Sequence, residues 1–313
     1  MKKIFSKKRI SIFVLMIMMM SIFASCSGSK TSTEKIDAKK GAFPVTITDS
    51  YGRQVTLDKK PERIISIAPN ITETIAALNA ADRLVGRTEY CDYPESIKSV
   101  DSIGTLQEPN IEKIVELKPD IVIASTHFKK EVVEKLEQMN VKVAVLYGAE
   151  TFDGVYETIG NVAKLIGEEE TGAKIVSDMK KKVSDVTEKV KNADKPKAYY
   201  VVGFGQTGDY TAGKGTFIGE LIGMAGGTNV AGDVEGWKYS LEKIVENDPD
   251  IMICSKFYDS KKGIEATNGY KDLRAVKEGK LFEIDNNILD RQGPRLADGL
   301  EELAKIIHPE LFK

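Results

Sequence analysis

Two hydrophobic patterns alternate along the chain and together predict a succession of strands and helices. Short segments rich in apolar residues, typical of strands in the interior of a parallel sheet, occur at 63–68, 121–124, 141–146, 198–202, 251–254 and 280–284. Between these runs lie segments whose apolar residues recur every three or four positions, as on one face of a helix. This alternation predicts an α/β fold with parallel sheets, whose ligand loops follow the carboxyl ends of the strands.

A fifteen-residue stretch occurs twice in the sequence. IEKIVELKPDIVIAS (111–125) and LEKIVENDPDIMICS (241–255) are identical at ten positions, at a constant offset of 130 residues. Each copy predicts a capped helix with an acid in its first turn, Glu112 or Glu242, followed by a buried strand. The repeat distance is too long for a solenoid period, so it predicts two similar lobes.

The most regular helical pattern lies between the two copies, at roughly 168–192. Its apolar residues are spaced alternately by three and four positions: Val176, Met179, Val183, Val186 and Val190. We interpret this segment as a helix that joins two lobes, a coiled-coil segment being the alternative. The predicted boundaries are 43–166 for the first lobe, 167–193 for the linking helix and 194–313 for the second lobe.

Local signals predict several helix ends and one hairpin. Residues 45–48 and 54–57 flank a turn sequence and predict the hairpin. Asn70, with Glu73 three residues later, predicts a capping box, and Asp153 and Thr216 are predicted N-caps.

The N-terminus predicts export and lipidation. Five basic residues precede the apolar run at 10–23, which ends in Ala-Ser-Cys26. This arrangement is typical of a signal peptide (1–25) cleaved before a lipid-modified Cys26, and it resembles a bacterial lipoprotein signal. An uncleaved anchor is the alternative; in both cases the protein is predicted to be extracytoplasmic and held at the membrane. Residues 26–42 predict a flexible tether.

Charge and cysteine content narrow the possible partners. Loss of residues 1–25 changes the formal charge from −2 to −7, which argues against nucleic acid as a partner. Two cysteines remain besides Cys26, and we predict that Cys91 and Cys254 are free, buried thiols.

Motifs for catalysis and metal binding are weak. Gly203-Phe-Gly-Gln-Thr-Gly208 follows a strand, but the next predicted helix starts several residues too late for a dinucleotide fingerprint. We therefore expect a glycine-rich loop that lines a cleft, with a nucleotide-dependent oxidoreductase as the alternative. Two histidines offer little for a triad or a metal site. The prediction is a protein without enzymatic activity, cofactor or metal.

Aromatic and arginine side chains follow several predicted strands. A bulky organic or chelate ligand needs a mostly apolar concave site with a few charged groups. The residues predicted to bind it are Tyr90, Phe128, Trp237, Phe257, Arg291 and Arg295.

Several segments resemble the substrate-binding proteins of iron-chelate and vitamin B12 ABC importers. They are ITDSYGRQVTLDKKPERIISIAPNITETIAAL, YCDYPE, EPNIEKIVELKPDIVIAS, GTFIGELIGMAGGTN, SLEKIVENDPDIMI and RQGPRLADGLEELAKIIHPE. The resemblance extends from about residue 44 to the end. It implies two Rossmann-like lobes joined by one rigid helix, the class III periplasmic-binding-protein fold. It further implies a monomer that works with an ABC permease and its ATPase, and docking through a glutamate on each lobe, here Glu112 and Glu242.

The resemblance leaves the ligand class open. Tyr90, Trp237 and Arg291 match ligand-contacting positions of the family's corrinoid binders. Three other positions depart from that pattern, which has Trp, Trp and Asp where this chain has Leu106, Ser125 and Asn287. A ferric siderophore is an alternative, because Arg87, Arg291 or Arg295 would neutralise an anionic chelate; haem is another. A structural or adhesive surface lipoprotein is a third class of function.

Overall fold

The computed structural model describes residues 43–313, and its first half is built on a small parallel sheet. We call this half the N-terminal lobe. Its elements are β1 (Val45–Thr48), β2 (Gln54–Leu57), β3 (Ile64–Ser66), α1 (Pro69–Ala77), β4 (Leu84–Arg87), α2 (Ile111–Glu116), β5 (Ile121–Ala124), α3 (Lys130–Gln138), β6 (Val143–Val145) and α4 (Phe152–Ile166), with 3-10 turns at Ala81–Arg83 and Glu95–Ser99.

The main sheet of this lobe has the strand order β4-β3-β5-β6, and all its neighbours are parallel. Helices connect the strands because parallel neighbours need a crossover. The strands β3, β5 and β6 are buried at every position, which explains their continuous apolar runs. The predicted hairpin is confirmed as the antiparallel pair β1–β2.

Two predicted caps in this lobe are wrong. The N-cap of α1 is Ala68, with Pro69 in the first turn, so Asn70 and Glu73 lie inside the helix and form no capping box. The side chain of Asn70 donates instead to the Ser125 hydroxyl at 3.1 Å. Helix α4 is capped by Thr151, whose hydroxyl accepts from the Gly154 N–H, and Asp153 occupies the first turn.

The second half, the C-terminal lobe, contains a mixed sheet. Its elements are β7 (Lys197–Gly203), β8 (Tyr210–Thr211), α6 (Phe217–Met224), β9 (Thr228–Asn229), α7 (Leu241–Asn247), β10 (Ile251–Ser255), α8 (Ser260–Ala266), α9 (Arg274–Lys277), β11 (Leu281–Ile284), α10 (Asn287–Asp290) and α11 (Leu296–Ile307), with 3-10 turns at Gly205–Thr207, Tyr270–Asp272 and Pro309–Phe312.

Strands β11, β10, β7 and β9 are parallel, and the short strand β8 joins β7 in the antiparallel direction. The polar and glycine-rich sequence around β8 carries no strand signal, so the sequence did not predict it. The predicted N-cap Thr216 is confirmed, since its hydroxyl accepts from the Gly219 N–H.

A single long helix, α5 (Glu169–Val190), joins the lobes. At about 1.5 Å per residue its 22 residues span roughly 33 Å. Its predicted apolar stripe is confirmed, because Met179, Val186 and Val190 are buried in the core of the C-terminal lobe. Ile175 packs against the cores of both lobes. The helix is therefore anchored on each side, and the predicted arrangement of two α/β lobes with one linking helix is confirmed.

Candidate functional site

The candidate site lies where loops follow the carboxyl ends of strands in both lobes, as expected for α/β sheets. In the N-terminal lobe, β3 leads into α1, and β4 leads into the loop that contains Tyr90. In the C-terminal lobe, β10 leads to Phe257, and β11 leads through α10 to Arg291 and Arg295.

Two arginines of the C-terminal lobe converge on one carboxylate of the N-terminal lobe, Glu73 of α1. Arg295 binds it in a bidentate manner, donating from Nε to Oε2 at 2.8 Å and from Nη2 to Oε1 at 2.6 Å. Arg291 donates from Nη1 to the same Oε1 at 2.9 Å. The Glu73 side chain is only 3% exposed, against 12% for Arg291 and 17% for Arg295. The contact is thus a largely buried ionic cluster between the lobes.

The arginines have further partners at the edge of this cluster. Arg291 also pairs with Asp92 at 2.7 Å and donates to the Tyr90 carbonyl oxygen at 3.3 Å. The Arg295 guanidinium lies over the Tyr93 ring, 3.9 Å from its centroid, in cation–π geometry. The loop after β4 is consequently held against the C-terminal lobe at three points.

The protonation of these arginines follows from two opposed effects. Burial disfavours the charged guanidinium of Arg291, but the hydrogen bonds that it donates to Asp92 and Glu73 outweigh burial and raise its pKa. Burial also disfavours the charged form of Arg295, and its hydrogen bonds to Glu73 outweigh burial and raise its pKa. Two fixed positive charges therefore face two carboxylates, and the cluster carries no net charge.

The predicted aromatic residues differ in their exposure. Tyr90 is 58% exposed and Trp237 is 45% exposed. The Trp237 carbonyl accepts from the Thr211 N–H at 2.8 Å, which holds this loop beside β8. Phe257 is half-buried, with the Lys256 Nζ 5.2 Å from its ring centroid. These side chains remain available to a ligand, and their role stays a prediction.

Phe128 was wrongly predicted as a ligand contact. Its side chain is 1% exposed and packs in the core of the N-terminal lobe among residues such as Val122 and Val133. Only its carbonyl oxygen reaches outward, where it accepts from the Tyr51 hydroxyl. An aromatic residue just beyond a strand carries no sequence signal that tells a core side chain from a ligand contact.

Arg87, considered from the sequence as an anion ligand, is engaged with its own loop, and a ligand role for it stays a prediction. Its guanidinium donates to the backbone carbonyls of Ile97, Thr88 and Lys98 at 3.2, 3.0 and 3.0 Å. These bonds tie the 3-10 turn after β4 to the strand, so the side chain serves the local structure.

The glycine-rich loop lines a cavity, as expected. This cavity of about 920 Å³ opens beyond β7 and β10 and is lined by Val202, Gly203, Phe204, Gly205, Gln206, Tyr258, Ser260, Thr267 and Asn268. No α-helix starts within Gly203–Gly208, because α6 begins only at Phe217. The dinucleotide alternative therefore lacks the helix N-terminus that would bind a pyrophosphate.

The repeated unit has the predicted structure in both lobes. Asn110 caps α2 and Ser240 caps α7, each side chain accepting from the N–H three residues later. Glu112 and Glu242 are exposed in the first turns. The N–H of Glu242 itself and the Ser240 hydroxyl lower the pKa of Glu242. Each lobe thus presents one exposed acid at a matching position.

Sequence reasoning missed Glu73, Asp92 and Tyr93 as site residues. Glu73 was attributed to a capping box, and the other two lie in the YCDYPE segment without a role of their own. The available signal was the pair of arginines in RQGPR, since buried guanidinium groups need carboxylate partners.

Other predictions concern cysteines, metals and membranes. Cys91 and Cys254 are free and buried, as predicted. Cys26 and the signal segment lie outside the described residues. Within 43–313, no group of three or more His, Cys, Asp or Glu residues is placed to hold a metal ion. In the same part of the chain no helix has the length and apolar character needed to cross a membrane.

Known proteins resemble this chain over most of its length. An uncharacterised ABC transporter substrate-binding lipoprotein, YvrC of Bacillus subtilis, is 32% identical over 98% of this chain and 99% of its own. A cobalamin-binding protein of Halobacterium salinarum is 28% identical over 95% of this chain and 83% of its own.

Solved structures of the class share the fold. A possible iron-binding solute-binding protein of Staphylococcus epidermidis aligns with a TM-score of 0.70 and 29% identity, over 80% of this chain and 99% of its own. The family described as periplasmic binding protein matches residues 64–288. The chain therefore belongs to the periplasmic binding protein family, with the two-lobed class III fold, and is a substrate-binding component of an ABC importer.

Proposed function

We propose that this protein captures a bulky corrinoid or iron(III) chelate between its lobes and delivers it to an ABC permease. The observation that carries the proposal is the contact between Arg291 and the Tyr90–Asp92 loop. It places the exposed Tyr90 of one lobe beside the arginine segment of the other. A ligand at this junction contacts both lobes at once. Proteins that bind their ligand between two lobes require such a contact.

A cavity in the C-terminal lobe offers room for part of a bulky ligand beside the predicted contact Phe257. Its volume of about 920 Å³ lies at the upper end of the range typical for drug-sized ligands, about 300–1,000 Å³. It is lined by Tyr258, whose ring lies 6.4 Å from that of Phe257, and by neither Tyr90 nor Arg291. Its lining is mostly glycine, aromatic and small polar residues, which suits van der Waals contact with a large ring or chelate.

Two observations bear on the ligand class. Relatives that bind cobalamin favour a corrinoid. Two of the positions that depart from the corrinoid pattern favour a ligand of different shape. Ser125 is 2% exposed and accepts a hydrogen bond from Asn70. Leu106 packs against the apolar clusters of the N-terminal lobe. The proposal therefore covers corrinoids and iron chelates.

Titration of the detergent-solubilised lipoprotein tests this proposal. Trp237 is the single tryptophan of the chain, so its fluorescence reports on the predicted site. Cyanocobalamin, cyanocobinamide, several ferric siderophores and haemin are added, and calorimetry provides the affinity. We expect saturable quenching by at least one corrinoid or iron chelate, with Trp237→Phe removing the signal. Absence of binding by all of them contradicts the proposal, and haemin as the tightest ligand supports the haem alternative.

We also propose that Cys26 carries a lipid that holds the protein at the outer face of the cell membrane. The support is the signal-like segment before Cys26 and the lipoprotein named among its relatives. Replacement Cys26→Ser is expected to move the protein from the membrane fraction to the medium or periplasm. Retention of this variant in the membrane fraction argues instead for an uncleaved anchor.

A further inference from the structure

Glu73 is a carboxylate of the N-terminal lobe that forms ion pairs with two arginines of the C-terminal lobe. It lies on α1 of the N-terminal lobe and accepts three hydrogen bonds, all from Arg291 and Arg295 of the C-terminal lobe. We propose that Glu73 determines the charge class of the ligand, as the resident counter-ion that makes the cleft reject net anionic ligands. This inference rests on the proposed function, because it assumes that the ligand binds between the lobes.

Three donors of the two arginines are already engaged with Glu73. Arg295 uses Nε and Nη2 on Glu73, and its guanidinium face lies on Tyr93. Arg291 uses Nη1 on Glu73 and Asp92 and Nη2 on the Tyr90 carbonyl. A carboxylate, phosphate or catecholate of a ligand that takes Nη1 of Arg291 or Nε or Nη2 of Arg295 therefore displaces a carboxylate of the protein. The remaining donors, Nε of Arg291 and Nη1 of Arg295, belong to side chains only 12% and 17% exposed, whose charges are already paired with Glu73.

The two carboxylates differ in how easily they are displaced. The Asp92 side chain is 47% exposed, so water can solvate its carboxylate when Arg291 binds another partner. The Glu73 side chain is 3% exposed, and displacement leaves its charge buried without a counter-ion. Such a buried unpaired charge is strongly unfavourable. Glu73 rather than Asp92 therefore sets the penalty for an anionic ligand.

A ligand without net charge avoids this penalty. Its amide, hydroxamate or ring surfaces can contact Tyr90 and the outer edge of the cluster while the bonds to Glu73 persist. Among the candidate ligands, cyanocobalamin and neutral ferric trihydroxamates fall in this class. Haemin with its propionates and ferric triscatecholates are net anionic and fall in the rejected class.

The test compares the detergent-solubilised protein with Glu73→Gln, which keeps the shape of the side chain and removes its charge. Glu134→Gln on the exposed surface of α3 is the matched control. The probes are cyanocobalamin, a neutral ferric trihydroxamate, a ferric triscatecholate and haemin, with affinity measured by calorimetry and folding by circular dichroism.

We expect the unaltered protein to bind a neutral probe most tightly. In Glu73→Gln the affinity for the anionic probes should rise at least about tenfold, since the two arginines lose the counter-ion they share. The ratio of anionic-probe affinity to neutral-probe affinity should therefore rise at least about tenfold, and the control should match the unaltered protein for every probe.

Three outcomes overturn the inference. If the unaltered protein binds an anionic probe most tightly, the inference fails while the proposed function remains intact. This measurement does not depend on the folding of Glu73→Gln. Equal shifts for neutral and anionic probes in a folded Glu73→Gln protein also overturn the inference. Absence of binding by all four probes in every variant overturns the proposed function together with the inference.

Discussion

Glu73 pairs with residues 218 and 222 positions further along the chain. A buried ion pair of this kind contributes little net stability, because removing the charges from water offsets most of their attraction. Loss of one partner is a different matter, since the charges left behind are buried and uncompensated. The cluster therefore fixes how the two lobes meet more than it stabilises either of them.

Replacement Glu73→Ala is expected to lower the free energy of unfolding by about 3 kcal/mol, the lower end of the range for a broken buried pair. The lower end applies because Asp92 still pairs with Arg291. Urea denaturation followed by circular dichroism measures the change.

The matched control is Asp178→Ala, which breaks the exposed pair of Asp178 with Lys174 on α5. It should cost no more than about 0.5 kcal/mol. A loss for Glu73→Ala as small as that of the control would show that the cluster is not a coupled, buried unit.

Single residues also show where sequence reasoning reaches its limit. Arg291 and Arg295 were predicted as site residues because they stand in a conspicuous segment after the last strand. Their partner Glu73 was not, because its local context resembles a helix cap and its true partners belong to another lobe. The burial of Phe128 likewise depends on how α3 packs, which local pattern does not specify.

At the scale of elements, the repeated unit was predicted almost in full. Both copies fold as an N-capped helix, a turn and a buried strand, because cap residue, apolar positions and proline all act within a few residues. The antiparallel strand β8 escaped prediction since it is only two residues long and pairs through its backbone with β7. Local chemistry thus predicts elements well and their pairing poorly.

The packing of α4 on α5 depends on a glycine. A Cβ at Gly172 would lie 2.4 Å from the Ala163 Cβ, so the helices approach more closely than any other residue permits. We expect Gly172→Ala to destabilise the protein by about 1–3 kcal/mol, because overpacking outweighs the gain in helix propensity.

Gly160, on the exposed face of α4, is the matched control. A Cβ at this position meets nothing within 4 Å, so Gly160→Ala should stabilise the protein by about 0.5–1 kcal/mol. Thermal and urea unfolding of both variants measures the difference. A stabilised Gly172→Ala protein would falsify the close-contact interpretation.

At the scale of the whole molecule, the repeat places one exposed acid on each lobe. We expect the double variant Glu112→Ala/Glu242→Ala to lose ligand uptake by cells while the purified protein binds its ligand with unchanged affinity. The physical reason is that both acids lie in exposed helix turns and not among the residues that join the lobes.

Glu116 and Glu246 offer a control on the same two helices, since both are exposed and both belong to the repeat. Their double replacement by Ala should leave uptake intact. Normal uptake by the Glu112/Glu242 double variant would argue against docking through these acids.

The anchoring of α5 in both cores has a consequence for how the transporter is engaged. A helix packed on both cores holds the two proposed docking acids at a set separation, so docking through both acids would make the protein a bivalent ligand of its permease. Once one acid is seated, the other is presented at an effective concentration in the millimolar range that short, well-matched linkages provide. Two individually weak contacts then combine through avidity, and the complex assembles tightly yet dissociates stepwise.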